Sequence, residues 1–132
     1  RQLTDGTEIH KDELGRLRTD SDPIVVQGLI GTEEYITHVP PKMAFLNQEI
    51  KRLIDFANDT EGDQFVHPII KAIFLHFWIG YLHPFTDGNG RMARSLFYWY
   101  LLKKGYWTMM YIPISTVIKH APVQYAMAYI YS

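Results

Sequence analysis

The sequence predicts a mainly α domain carrying one small β-hairpin. Three observations predict it. Residues 65–82 and 91–104 are apolar nearly all round the helical wheel, as helices at the centre of a bundle are. Residues 42–58 carry a one-sided apolar stripe of Met43, Leu46, Ile50, Leu53, Ile54 and Ala57, with Lys51 and Asp55 opposite. Only one pair of short β-branched runs is present, and no alternation of strand and helix supports a parallel sheet. Single domains typically run to about 100–200 residues. The 132 residues therefore read as one domain, 1–132, with its core over about 15–120.

Along the chain, residues 1–22 mix charges, Thr, Asp and Gly with sparse apolar positions, and the only helix expected there covers 9–17. Pro23-Ile-Val-Val-Gln27 and Tyr35-Ile-Thr-His38 are β-prone runs separated by Gly28, Gly31 and two acids, which reads as a hairpin containing Ile24, Val25, Val26, Tyr35 and Ile36. Two strands alone are marginal in water, so this ribbon is expected to lie on the helical core with an edge open. Val39-Pro-Pro41 breaks the pattern before the helix over 42–58, and 58–63 is a polar turn. His83-Pro84 closes the next helix, since the residue before proline avoids the α region and proline has no N–H to continue the ladder. The helix over 91–104 stops at Gly105, with two lysines in its last turn to complement the dipole. Ser115 is a candidate cap for a short helix through His120, and Pro122 begins another that runs to the end. His67 and His76 read as capping or packed residues, and the run Phe97-Tyr-Trp-Tyr100 as mostly core, with a tyrosine or two facing a base pocket.

Composition excludes several function classes. Apolar residues are 47% and charged residues 20%, so disorder and coiled coil are excluded. No Cys is present, which removes disulfide scaffolds, Cys-ligated zinc and thiol nucleophiles and favours a cytoplasmic location. The most apolar window, 69–82, is interrupted by Lys71 and His76 and falls short of the roughly 20 apolar residues of a membrane span. No signal peptide is recognisable. The chain opens at Arg1 and stops inside the apolar run 125–131, which reads as a piece of a longer protein. The net charge of −1 divides sharply: residues 1–87 hold 8 basic and 14 acidic residues, and residues 88–132 hold 5 basic residues and no acid. Five charges do not make a nucleic-acid stripe, but Arg91 and Arg94 beside glycines fit a localised phosphate site.

The informative segment is His83-Pro-Phe-Thr-Asp-Gly-Asn-Gly-Arg-Met-Ala-Arg94, between the two most apolar helices. Gly88, Asn89 and Gly90 let successive N–H groups turn inward as an anion nest, at a helix N-terminus where the dipole favours negative charge. Arg91 and Arg94 share a helical face and offer forks to phosphate oxygens. Asp87 is the carboxylate that Mg²⁺ needs beside phosphates. His83 is the side chain that can take a proton near neutral pH. Gly88-Asn-Gly-Arg-Met-Ala93 satisfies the dinucleotide pattern, but it follows a helix and no acidic residue comes after it. A P-loop is absent, Asp87-Gly-Asn-Gly90 fails as a calcium loop, and His76 and His83 lack the further ligands of a zinc site.

His83-Pro-Phe-Thr-Asp-Gly-Asn-Gly-Arg91 resembles the Fic signature, H-P-F-x-[D/E]-G-N-G-R, at every fixed position. The likeness extends over roughly 15–120 and includes Arg94, Leu101-Leu-Lys-Lys-Gly-Tyr106 and the upstream hairpin followed by Pro40-Pro41. It implies a Fic-like helical core with the hairpin as a flap that holds the target as an added strand. It also implies a protein adenylyltransferase that moves AMP from ATP to a Tyr, Thr or Ser hydroxyl of a target protein. In that reading His83 is the general base, Asp87 binds Mg²⁺ or Mn²⁺, and Gly88, Asn89 and Gly90 hold anionic oxygens. Arg91 clamps the β-phosphate region and Arg94 the γ-phosphate, while Phe85 anchors the loop. The family's phosphorylating Doc relatives typically carry Lys where Gly90 stands. Transfer of another phosphate-linked group stays open, as does a nucleotide-responsive module serving an attached DNA-binding domain. Many members carry an inhibitory helix, in cis or in trans, with [ST]-x-x-x-E-[GN]; Thr4-Asp-Gly-Thr-Glu8 has the spacing but is followed by Ile9. The segment 114–131 resembles that of members continuing into a winged helix-turn-helix, so any nucleic-acid contact is expected only through a missing domain.

Overall fold

A computed structural model of the chain describes residues 15–22, 24, 26–30, 33–60, 62 and 65–131. Among these residues five helices carry the architecture, with one antiparallel ribbon and a short 3₁₀ segment. Strands β1, Val26–Ile30, and β2, Glu33–His38, precede α1, Met43–Ala57, and then α2, Pro68–Leu82. Helix α3, Asn89–Lys103, follows the signature loop, and a 3₁₀ turn at Trp107–Tyr111 leads into α4, Ile114–His120, and α5, Pro122–Ile130. No helix among the described residues is long and apolar enough to cross a membrane.

The expected helix over 9–17 lies mostly outside the described residues, as do Thr4–Glu8; its described end is a turn at Gly15 and a bridge from Leu17 to Phe85. The ribbon ladder lies nearer the turn than the β-branched pattern predicts, with β1 starting later and β2 earlier, because backbone pairing needs no side chain and Gly28 takes its place opposite Tyr35. The register slips between the Val26–His38 and Gln27–Ile36 pairs, a bulge that turns β2 just before His38. Val25 is outside the described residues, and Ile24 precedes the ladder.

Helix α2 begins three residues later than its apolar run. Pro68 occupies the first turn, where its missing N–H costs nothing, and the His67 ring accepts the Ile69 N–H as a cap. Helix α4 starts at Ile114 with Pro113 before it and no side-chain cap, so Ser115 is not its cap. The core is formed where α2 meets α3, with α1 against one side of α2. Leu46 and Leu53 of α1, Leu75, Ile79 and Leu82 of α2, and Phe97, Tyr100 and Leu101 of α3 are all buried. Helix α5 closes the other side of α2 and packs on both strands. Its Tyr129 stacks on Phe77 at 4.6 Å and fits over Gly80, where a Cβ would lie 2.1 Å from the Tyr129 hydroxyl. Helix α2 is less enclosed than its all-round apolar pattern predicts: α1, α3 and α5 leave Ile70, Ile73 and Phe74 exposed.

The two tyrosine hydroxyls of α3 bond to neighbouring segments. Tyr98 donates to the Ile112 carbonyl and accepts the Ile114 N–H at 2.9 Å, and Tyr100 donates to Asp59 at 2.8 Å. Asp59 sits at the end of α1 with φ of 59° and also takes Lys71 and Lys104, each at 2.8 Å. Burial pushes its carboxyl up, but hydrogen bonds from Lys104, Lys71 and Tyr100 outweigh that and hold it well below the usual carboxylate range. A depressed folded pKa contributes stability above the unfolded value and loses it as pH falls. Asp59→Asn, which keeps a residue tolerant of positive φ, is expected to lower stability by about 1–2 kcal/mol after discounting for partial exposure. The gap to wild type should close as pH drops below about 4, and denaturation at pH 7 and pH 3 measures it. An equal gap at both pH values would show that the charge is not the cause.

Candidate active site

The signature begins where α2 ends. His83 adopts φ of 46° and ψ of 57°, a left-handed conformation that ends the helix. Its N–H returns to the Ile79 carbonyl at 3.0 Å. Its ring turns the same way: Nδ1 lies 3.2 Å from the Gly80 carbonyl. A carbonyl can only accept, so Nδ1 carries the proton and Nε2 is left with a lone pair. Burial lowers the imidazole's affinity for a second proton, the Gly80 bond opposes this, and His38 and Arg18 add positive surroundings that lower it further; Asp87 pulls the other way. The net direction is downward, so His83 is neutral at pH 7, in the form a proton acceptor requires.

Two residues that the sequence pattern did not single out hold this helix end. His38, at the end of β2, lies 2.6 Å by Nε2 from the Tyr81 carbonyl and faces the Tyr81 ring at 4.5 Å. Arg18, only 5% exposed, donates from Nε to the His83 carbonyl at 2.8 Å and from Nη2 to the carbonyls of Leu82 and Pro41. No periodicity or motif marks either one; both are distant in sequence from the carbonyls they hold.

After Pro84 the loop is braced from within. Asn89, 2% exposed, accepts the Phe85 N–H on Oδ1 at 2.9 Å and donates from Nδ2 to the Phe85 carbonyl at 2.7 Å. Its side chain is therefore committed to the loop, and only its backbone N–H remains to face an anion. Gly88, at φ of 87°, makes the turn into α3, and its carbonyl accepts the first intrahelical bond from Met92 at 2.8 Å. The N–H groups of Asn89, Gly90 and Arg91 precede that bond, which leaves them at the positive end of the helix dipole. The Arg94 guanidinium lies over Gly90, where a Cβ would come within 3.3 Å of Nη1. Arg94 makes no ion pair among the described residues, whereas Arg91 pairs with Asp87 at 2.5 Å across one helical turn.

The profile of the Fic/DOC family matches residues 2–101. The chain belongs to that family. Curated relatives include the protein adenylyltransferase fic-1 of Caenorhabditis elegans, 30% identical over 115 residues, covering 86% of this chain and 22% of that protein. The protein adenylyltransferase Fic of Nematostella vectensis is 32% identical over 105 residues, or 79% of this chain and 23% of its own length. That of Drosophila grimshawi is 33% identical over 105 residues, or 79% and 21%. The chain thus spans about a fifth of the length of these relatives.

Within this Fic domain the fold gathers His83, Asp87, the α3 N-terminus, Arg91 and Arg94 along one continuous segment. The ribbon stands apart in sequence but reaches the site through His38, and neither outer edge pairs with a third strand among the described residues. No cluster of three or more His, Cys, Asp or Glu is present among the described residues to hold a metal by protein groups alone. A lone, half-exposed carboxylate such as Asp87 nevertheless fits Mg²⁺ delivered with a polyphosphate, because that ion is usually held by one or two carboxylates together with phosphates and water.

Proposed function

We propose that this Fic domain transfers the adenosine monophosphate group of ATP to a Tyr, Thr or Ser hydroxyl of a target protein. The observation that carries the reading is His83: its Nδ1–H is bound to the Gly80 carbonyl, and its neutral Nε2 stands one short loop from a helix N-terminus flanked by two arginines. Nε2 takes the hydroxyl proton as the hydroxyl oxygen attacks the α-phosphorus. The bond from that phosphorus to the bridging oxygen breaks, pyrophosphate departs, and a phosphodiester joins AMP to the target. The backbone N–H groups of Asn89, Gly90 and Arg91 would receive the anionic oxygens, with Arg91 toward the β-phosphate and Arg94 toward the γ-phosphate. Asp87 would hold Mg²⁺ or Mn²⁺, which neutralises charge on the leaving group. The unpaired edge of the ribbon would take an extended target segment as an added strand. The relatives named protein adenylyltransferase support the same chemistry.

Incubation with Mg²⁺, host lysate and ATP labelled either on the α- or on the γ-phosphate tests the reaction. Label from the α-phosphate is expected on a hydroxyl side chain, located by mass spectrometry, and γ-label is not; the reverse would make the domain a kinase. The pH profile tests the base. Only neutral His83 accepts a proton, so with its pKa depressed the acid limb should fall below the ordinary histidine value of about 6.5, with a plateau above it. A limb centred at pH 7 or higher would contradict this environment.

A further inference from the structure

The last turn of any α-helix leaves carbonyls without intrahelical partners, and at the end of α2 the usual backbone remedy is blocked because Pro84 has no N–H to return. Side chains take over. Beyond the Ile79 carbonyl, which receives the His83 N–H, Gly80 receives His83 Nδ1, Tyr81 receives His38 Nε2 and Leu82 receives Arg18 Nη2 at 3.2 Å. Arg18 does more than fill one vacancy. Its Nε reaches the His83 carbonyl at 2.8 Å, and its main-chain N–H reaches the Pro84 carbonyl at 2.9 Å. Nη2 also bonds the Pro41 carbonyl, which ties the approach to α1 to the same point. One arginine thus holds three consecutive carbonyls, those of Leu82, His83 and Pro84. A buried guanidinium has to spend its donors, and carbonyls at a helix C-terminus are where a cation is favoured.

We propose that Arg18 is the positioning residue of the candidate base. By gripping the carbonyls of Leu82, His83 and Pro84 it holds His83 in the left-handed conformation from which Nδ1–H meets Gly80 and Nε2 is left open to accept a proton. Such a conformation is disfavoured for a residue with a Cβ and persists where the surroundings impose it. The Pro84 bond is made by the main chain, but the planar fork is essential for the carbonyls of Leu82 and His83, because a lysine ammonium is a compact point charge that cannot address both at once. Arg18 also contributes charge. The groups facing the His83 ring are the Gly80 carbonyl of α2, His38 of β2, Arg18 of the N-terminal segment and Asp87 of the loop, and Arg18 is one of those that resist its protonation.

The inference rests on the reading of His83 as base, but it can be read in the ligand-free protein, so its failure is separable from failure of the transfer reaction. Carbon and nitrogen NMR shifts of the His83 imidazole report its tautomer and its titration midpoint. Wild type should show a single Nδ1–H tautomer above pH 7. Arg18→Gln removes the charge and most of the fork; it should show mixed tautomers and a midpoint raised by about 0.5 pH unit or more. Arg18→Lys keeps the charge without the fork, so it should lose the single tautomer while the midpoint stays low. A wild-type tautomer in a folded Arg18→Gln protein overturns the proposal. If that variant does not fold, Arg18→Lys decides by itself: an undisturbed Nδ1–H tautomer there overturns the role of the fork, and a mixed one supports it.

Discussion

Replacing His83 by alanine is expected to cut transfer by roughly 10²- to 10⁴-fold, the usual contribution of a positioned base, while leaving ATP affinity nearly unchanged. The separation follows from the geometry. The groups proposed to hold the phosphates lie on the α3 N-terminus and on Arg91 and Arg94, beyond a loop that Asn89 braces independently of the imidazole. The substitution does carry a structural risk, because position 83 has φ of 46° and alanine loses the ring's bond to Gly80 without easing the left-handed strain. His83→Asn answers it, since asparagine tolerates that conformation and has no basic nitrogen. His83→Asn should melt near wild type and both variants should fail to transfer; calorimetric titration with Mg²⁺ and ATP checks that binding survives. Transfer within tenfold of wild type in a folded His83→Asn protein would remove His83 from the role of base.

The second large effect is expected at Asn89, and it differs in kind. Asn89→Ala leaves the N–H and the carbonyl of Phe85 without partners in a half-buried loop, at a cost of about 1–3 kcal/mol for each unsatisfied group. A total of about 2–6 kcal/mol is a large part of the 5–15 kcal/mol that stabilises a typical domain. Because the same two bonds fix the path from Pro84 to Gly88, ATP binding and transfer should fall together. Asn89→Asp distinguishes bracing from ligand contact: it preserves an acceptor for the Phe85 N–H but sets an anion against the Phe85 carbonyl, so it should be nearly as damaging as alanine. Urea denaturation beside ATP titration measures both effects. Lost transfer with unchanged stability would mean that the Asn89 side chain touches the nucleotide instead of the loop.

The candidate site could be read from the sequence to an unusual degree because its chemistry is local. His83, Asp87, Gly88, Asn89, Gly90, Arg91 and Arg94 fall within twelve consecutive residues, and a helix N-terminus after a glycine turn needs only near neighbours to present its N–H groups. The helical class was equally legible, since periodicity over 42–58, 65–82 and 91–104 is a property of the chain itself. The tertiary structure decided how those residues are used. It committed the Asn89 side chain to Phe85, turned Tyr98 and Tyr100 toward Ile112, Ile114 and Asp59, and left one apolar face of α2 open. It also decided which residues hold the helix end that carries His83. The carbonyls at the end of α2 are held by Arg18, 65 residues from His83, and by His38, 43 residues from Tyr81. A carbonyl's need for a donor is set by the local chain, but the donor that reaches it is set by which distant segment the core brings alongside, and no spacing pattern encodes that.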